Sequence, residues 1–152
     1  MKKILILLFL SFCWCLPAQA VITGGMIMVR STEPFPEAMS LLQQAINENG
    51  YQLSRVQRVD IGLSAKGYKT DKYRVVFFGK GQQIRDLSRA YPELIPYLPL
   101  KIAIFAEDDN TILITANPAA FRDMFRQPEL VPVFEQWKKD LSKILNAVQI
   151  PE

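Results

Sequence analysis

The sequence predicts an α+β fold: a two-layer sandwich whose mixed or mainly antiparallel sheet of about five strands carries helices packed on one face. Three observations carry that expectation. Apolar runs of strand length recur through the chain, longer stretches between and after them repeat apolar residues at helical spacing, and Gly, Pro and Asn mark most changes of period. Strands that come in pairs between helices fit a sheet covered on one side rather than a βαβ array.

The elements follow in order. The run from Gly24 to Ser31 reads as a first strand. Pro36 and Glu37 suit a first helical turn, and Ala38, Leu41, Leu42, Ala45 and Ile46 repeat at helical spacing up to a stop at Asn49-Gly50. From Tyr51 a period of two through Leu53, Val59, Ile61 and Leu63 predicts a second strand, with a phase slip near Val56 that suits a bulge. Ala65 to Lys72 is a polar connection. Tyr73 to Phe78 is a strand whose unbroken apolar run suggests burial on both faces. A helix is expected from Gln82 to about Ala90. Prolines 92, 96 and 99 then impose a stiff connector. Two strong strands, LKIAIFA and TILITA, flank an acidic hairpin tip, and a C-terminal amphipathic helix over about 128–148 presents Leu130, Val133, Phe134, Trp137, Leu141, Ile144, Leu145 and Val148 as one stripe.

The first twenty residues combine Lys2 and Lys3, an apolar run from Ile4 to Leu16, and an Ala18-x-Ala20 ending. That is the pattern of a secretory signal peptide cleaved after Ala20, too short in its apolar run to span a bilayer. The expected mature chain, residues 21–152, is one domain, periplasmic or secreted, with no membrane span after cleavage. Both cysteines, Cys13 and Cys15, leave with the signal, and the chain has no histidine. Disulfides, thiolate sites, and histidine-based nucleophile or metal systems are thereby excluded from the mature chain, and no cofactor is expected.

Removing Lys2 and Lys3 leaves sixteen basic against fifteen acidic residues, a balance that argues against nucleic acid as a partner. The distribution is uneven. Between Tyr51 and Lys80, seven basic residues face only Asp60 and Asp71.

Gly79-Lys80-Gly81 joins a strand to a helix, where phosphate loops occur. A dinucleotide fingerprint would need glycine at Ile84, and a P-loop would need glycine at Arg74 and a hydroxyl at Gly81, so only general anion attraction at a helix start remains. With Lys69, Lys72 and Arg74 nearby in sequence, this turn is the candidate contact for an anionic small molecule or an acidic protein partner; the alternative is a turn shaped only by backbone geometry. Glu107 to Asn110 lacks the alternate spacing of a calcium loop and reads as a hairpin tip. Phe134 and Trp137 either cover the sheet as core or form a dimer or partner contact.

The parts from Val59 to Pro118 resemble the domain-of-unknown-function family numbered 302. The resemblance lies in Asp60, Ala65 and Gly67, then VVFFG, then YLPLKIAIFAEDDNTILITANP. It implies a compact α/β domain and a homodimer, and no established activity. Ile61 and Lys80-Gly81 stand where many relatives carry histidine and Asn-Pro. A metal or haem role suspected through that histidine does not transfer. The reading is therefore an exported binding or interaction module of the bacterial cell envelope without catalysis. The alternative is a small envelope enzyme using carboxylate, tyrosine or lysine acid–base chemistry, which a dry cleft joining Asp60 to Glu93 or Glu107 would favour.

Overall fold

The structure is a computed structural model that describes residues 21–149. The expected export signal lies outside the described residues.

The described residues open with a hairpin that the sequence did not announce. Strand β1 (Val21–Thr23) pairs antiparallel with β2 (Met26–Ser31) through a turn at Gly24-Gly25. Helix α1 (Phe35–Glu48) has proline in its first turn and buries Phe35, Ala38, Leu42, Ala45 and Ile46. Gly50 ends it in the left-handed region at φ 74°, a conformation that side chains with a Cβ resist.

Strand β3 (Gln52–Arg58) is shorter than expected, and its bulge falls at Ser54, where the pairing register shifts between Leu53 and Arg55. The segment beyond it corrects the period-two reading: Val59–Ser64 is a short helix, α2. Asp60 explains the change. Its carboxylate accepts a hydrogen bond from the Ile61 amide at 2.9 Å and ion-pairs with Arg74 on the next strand, a tertiary contact that overrides local alternation.

Strand β4 (Tyr73–Gly79), helix α3 (Gly81–Ala90), a 3-10 helix at Pro92–Tyr97 and the hairpin β5 (Leu100–Glu107) with β6 (Asn110–Ala116) lie where expected. Asp108 takes φ 52° at the hairpin tip. Two further 3-10 turns, Pro118–Asp123 and Pro128–Leu130, lead into α4 (Val131–Asn146).

The sheet has six strands in the order β1-β2-β6-β5-β4-β3, and every pairing is antiparallel. Cross-strand partners on one face are Val29 with Leu113, Leu113 with Ile104, and Val76 with Ile102. These residues join the buried residues of α1, α3 and α4 in a single core. Burying each such side chain contributes about 1.5–3 kcal/mol, so this face supplies most of the hydrophobic stabilisation.

Side-chain hydrogen bonds tie the layers together. Ser31 Oγ donates to the Val148 carbonyl at 2.8 Å, and Thr111 Oγ1 donates to the Glu33 carbonyl at 2.9 Å, so β2 and β6 anchor the end of α4 and the entry to α1. Tyr97, Phe121, Phe125, Phe134 and Trp137 form a run of ring contacts with centroids 4.9 to 6.4 Å apart.

Candidate functional site

The Gly79-Lys80-Gly81 turn does connect β4 to α3, but its chemistry is directed inward. The Lys80 ammonium lies 4.5 Å over the ring of Tyr51 and 3.9 Å from Asp140 Oδ2 on α4. The Tyr51 hydroxyl donates to that same Asp140 oxygen at 2.7 Å, and Gln136 Nε2 donates to Oδ1 at 2.7 Å. Burial and the neighbouring carboxylate push the Tyr51 hydroxyl well above the ordinary tyrosine value. Lysine, tyrosine and aspartate thus join the turn to α4.

The two glycines differ in what they do. A Cβ on Gly79 would collide with Ile84, whereas a Cβ on Gly81 would meet nothing closer than Arg85 Nη1 at 3.5 Å. At Gly79 the space a Cβ would take is filled by the far end of the half-buried Ile84 side chain.

The basic residues grouped with the turn by sequence are not brought to it. Lys69 and Lys72 precede β4 and Arg74 is its second residue, so the strand separates them from Lys80 by roughly 20 Å or more, six residue steps at about 3.3 Å each from Arg74. Arg74 and Lys72 lie 5.6 and 5.9 Å from the centroid of Phe35, and Arg74 is engaged by Asp60. That contact holds the Asp60 carboxyl below the usual carboxylate range.

The three carboxylates expected of an acid–base cleft have separate partners. Asp60 faces Arg74, Glu93 accepts from Gln127 Nε2 at 2.7 Å, and Glu107 pairs with Arg30 at 2.5 Å. Among the described residues no group of three or more carboxylates is placed to hold a metal ion, and no helix is long and apolar enough to cross a membrane. Phe134 and Trp137, expected as candidate partner contacts, are 0% and 2% exposed, and Trp137 Nε1 donates to Gln83 at 3.1 Å. They belong to the core because the stripe of α4 is fully absorbed by the sheet and the aromatic run.

What sequence reasoning missed is the other face of the sheet. Alternation along each strand turns Met26 and Met28 of β2, Tyr73, Val75 and Phe77 of β4, Lys101, Ala103 and Phe105 of β5, and Ile114 of β6 away from the helical layer. Phe77, Val75, Ala103, Phe105 and Ile114 are only half-buried, and Met26 is exposed. Two hollows lie on this face. One, of about 460 Å³, is lined by Thr70 to Tyr73, Ala103, Phe105, Ala106 and Ile114; the other, of about 240 Å³, by Met26, Tyr73, Val75, Lys101, Ala103 and Ile114 among others. The signal was present in YRVVFF, whose apolar residues do not alternate with polar ones. It reads equally as a strand covered on both sides, and only the placement of the helices shows that, among the described residues, no helix covers this side.

The fold is a single antiparallel sheet with helices on one side, an α+β domain. The chain belongs to the family described as Domain of unknown function DUF302, whose model matches residues 27–148. Its fold is similar to that of a crystal structure titled uncharacterized conserved protein DUF302 from Bacillus stearothermophilus, at 17% identity and a TM-score of 0.74, covering 82% of this chain and 98% of that one. No curated protein matches.

Proposed function

We propose that the chain is an exported, non-catalytic binding or interaction module of the bacterial cell envelope, working through the bare face of its sheet. One observation carries the reading. An antiparallel sheet with one solvated face ordinarily carries polar residues there, yet the outward rows here are Tyr73-Val75-Phe77 on β4 and, between Lys101 and Glu107, Ala103-Phe105 on β5, beside Ile114 of β6. A contiguous apolar patch of this kind on a water-exposed surface marks an interaction site, and the methionines at its edge adapt to a partner's shape. Lys72 lines the larger hollow beside Asp71, and Lys69 lies just before it in the chain; the two lysines add long-range attraction for an anionic ligand or acidic partner, which Asp71 partly offsets.

The test has two parts. Intact mass of the exported protein from producing cells is expected to begin at Val21; a mature species retaining Met1 counts against export. A photo-crosslinking residue at Phe105 is expected to give adducts in those cells, and the same residue at Lys139, on the outer side of α4, is expected to give far fewer. Equal labelling at both positions would remove the bare face as the working surface.

A further inference from the structure

We propose that the bare face holds an amphiphilic carboxylate, an extended apolar chain with one anionic head, laid along β5 with its head at Lys101 and Arg55. This rests on the reading of that face as an interaction surface and adds the chemical class of the occupant and its direction.

The two hollows on the face form one furrow, because Tyr73, Ala103 and Ile114 line both. Ala103 is its floor. Val75 and Ile114 are the cross-strand neighbours of Ala103, and Tyr73 and Phe105 pair in the adjoining row with ring centroids 6.2 Å apart, so one small residue is ringed by larger ones. From Tyr73 to Phe77, the partner of Lys101, the furrow runs four residues, roughly 13 Å at about 3.3 Å each. Adjoining strands stand about 4.8 Å apart, room for one alkyl chain but not for a helix, which is about 10–12 Å across with its side chains. An extended peptide in the same place would set its backbone N–H and C=O groups against apolar side chains without partners. The larger hollow alone, of about 460 Å³, falls within the range of small-molecule sites, about 300–1,000 Å³.

Charge gives the direction. Lys101 and Arg55 flank Phe77 in one row across the sheet, and neither forms an ion pair among the described residues. The opposite end is acidic: Asp71 lines the larger hollow, and Glu107 closes β5 beside the hairpin-tip Asp108 and Asp109. Lys72 offsets this end only weakly, since its ammonium is drawn to Phe35 of α1, 5.9 Å from the ring centroid. An anionic head is therefore attracted at the Lys101 end and repelled at the other, while the chain behind it lies over Ala103.

Calorimetric titration of the delipidated exported protein tests this with decanoate as the probe and decanol, which has the same chain without the charge, as its control. Wild type is expected to bind one decanoate per chain below the micellar concentration, and decanol more weakly. Lys101→Gln is expected to weaken decanoate roughly two- to five-fold, the worth of an exposed ion pair, and to leave decanol unchanged. Glu107→Gln, at the far end, is expected not to weaken decanoate. Ala103→Leu, with an unchanged melting temperature, is expected to weaken both probes more than roughly ten-fold by filling the floor. The lysine variant decides the matter even where Ala103→Leu fails to fold. Uptake of decanoate only as micelles, a Lys101→Gln variant that keeps wild-type affinity for decanoate or loses decanol equally, or a folded Ala103→Leu variant that binds like wild type would each overturn the proposal. Wild type that ignores decanoate but sediments with phosphatidylglycerol vesicles would overturn it in favour of a lipid surface. Where decanoate fails and position 105 still gives adducts in cells, the carboxylate alone is overturned; absence of any adduct would sink the interaction reading with it.

Discussion

Replacing Gly79 by alanine is expected to destabilise the fold, whereas the same change two residues later is not. At Gly79 the new Cβ would occupy the place of Ile84 Cδ1, with Ile84 Cγ1 at 3.2 Å and Pro99 Cβ at 3.6 Å closing the remaining space. The half-buried Ile84 must leave its rotamer, a cost of about 0.5–1.5 kcal/mol. For a domain of this size that is a fall in melting temperature of roughly 2–8 °C. Gly81 is the first residue of α3, has open space around its Cα and shows no positive φ. Alanine there restricts the unfolded chain and is expected to be neutral or to stabilise by up to about 1 kcal/mol. Thermal unfolding of both variants by circular dichroism checks the pair. A Gly79→Ala protein that melts with wild type, or a Gly81→Ala protein that is the more damaged, would refute the assignment of Gly79 to packing.

Three further outcomes follow from the same contacts. Tyr51→Phe removes the hydroxyl that donates to Asp140 and is expected to cost about 1–2 kcal/mol at neutral pH by urea denaturation. Because the folded state raises the Tyr51 hydroxyl above its unfolded value of about 10, the stability it supplies is complete below that pH and is lost as pH rises beyond it, so the variant should show a shallower alkaline decline. Arg74→Met breaks the pair with Asp60, whose side chains are 14% and 16% exposed, and is expected to cost about 1–2 kcal/mol near neutrality. The lowered Asp60 carboxyl contributes stability above its unfolded value and loses it as pH falls through the folded one, so urea midpoints of the variant should fall less steeply in acid than those of wild type. Trp137→Ala is expected to cost about 3–5 kcal/mol, because the indole is fully enclosed and its N–H is hydrogen-bonded; a variant that keeps wild-type stability but loses a partner would place Trp137 on the surface after all.

The helical layer was legible because its signals are local. Leu42 and Ile46 of α1 and Phe134, Trp137, Leu141 and Ile144 of α4 repeat at the period of one helix, and each is buried as that period demands. The strand ending at Arg58 was misjudged at its far end, since Val59, Ile61 and Leu63 alternate as a strand would while Asp60 is captured by Arg74, a residue fourteen positions away whose position no local pattern records. The turn at Gly79 was visible, but its role was not: Lys80 looks free in the sequence and is taken by Tyr51 and Asp140 from two other elements. The bare sheet face was hidden for a related reason. Helices cover one side of β4 and β5, and the alternation that distinguishes Phe78 from Phe77 gains meaning only once the helices have been placed.

The face itself can be interrogated with the methionines that nature has put there. Met26 stands at the edge of the bare face and is 46% exposed in the single chain, while Met124, away from the sheet in the loop before α4, is 53% exposed. In an uncovered chain both methionines are therefore open to peroxide, although the Met124 sulfur also accepts a hydrogen bond from the Tyr97 hydroxyl. Mild peroxide treatment of intact producing cells, followed by mass spectrometry of the tryptic peptides, measures the ratio directly. If the face is occupied, Met26 is protected relative to Met124, and Ala103→Arg abolishes the protection. Equal oxidation of the two in wild type would contradict the claim that this surface is covered in place.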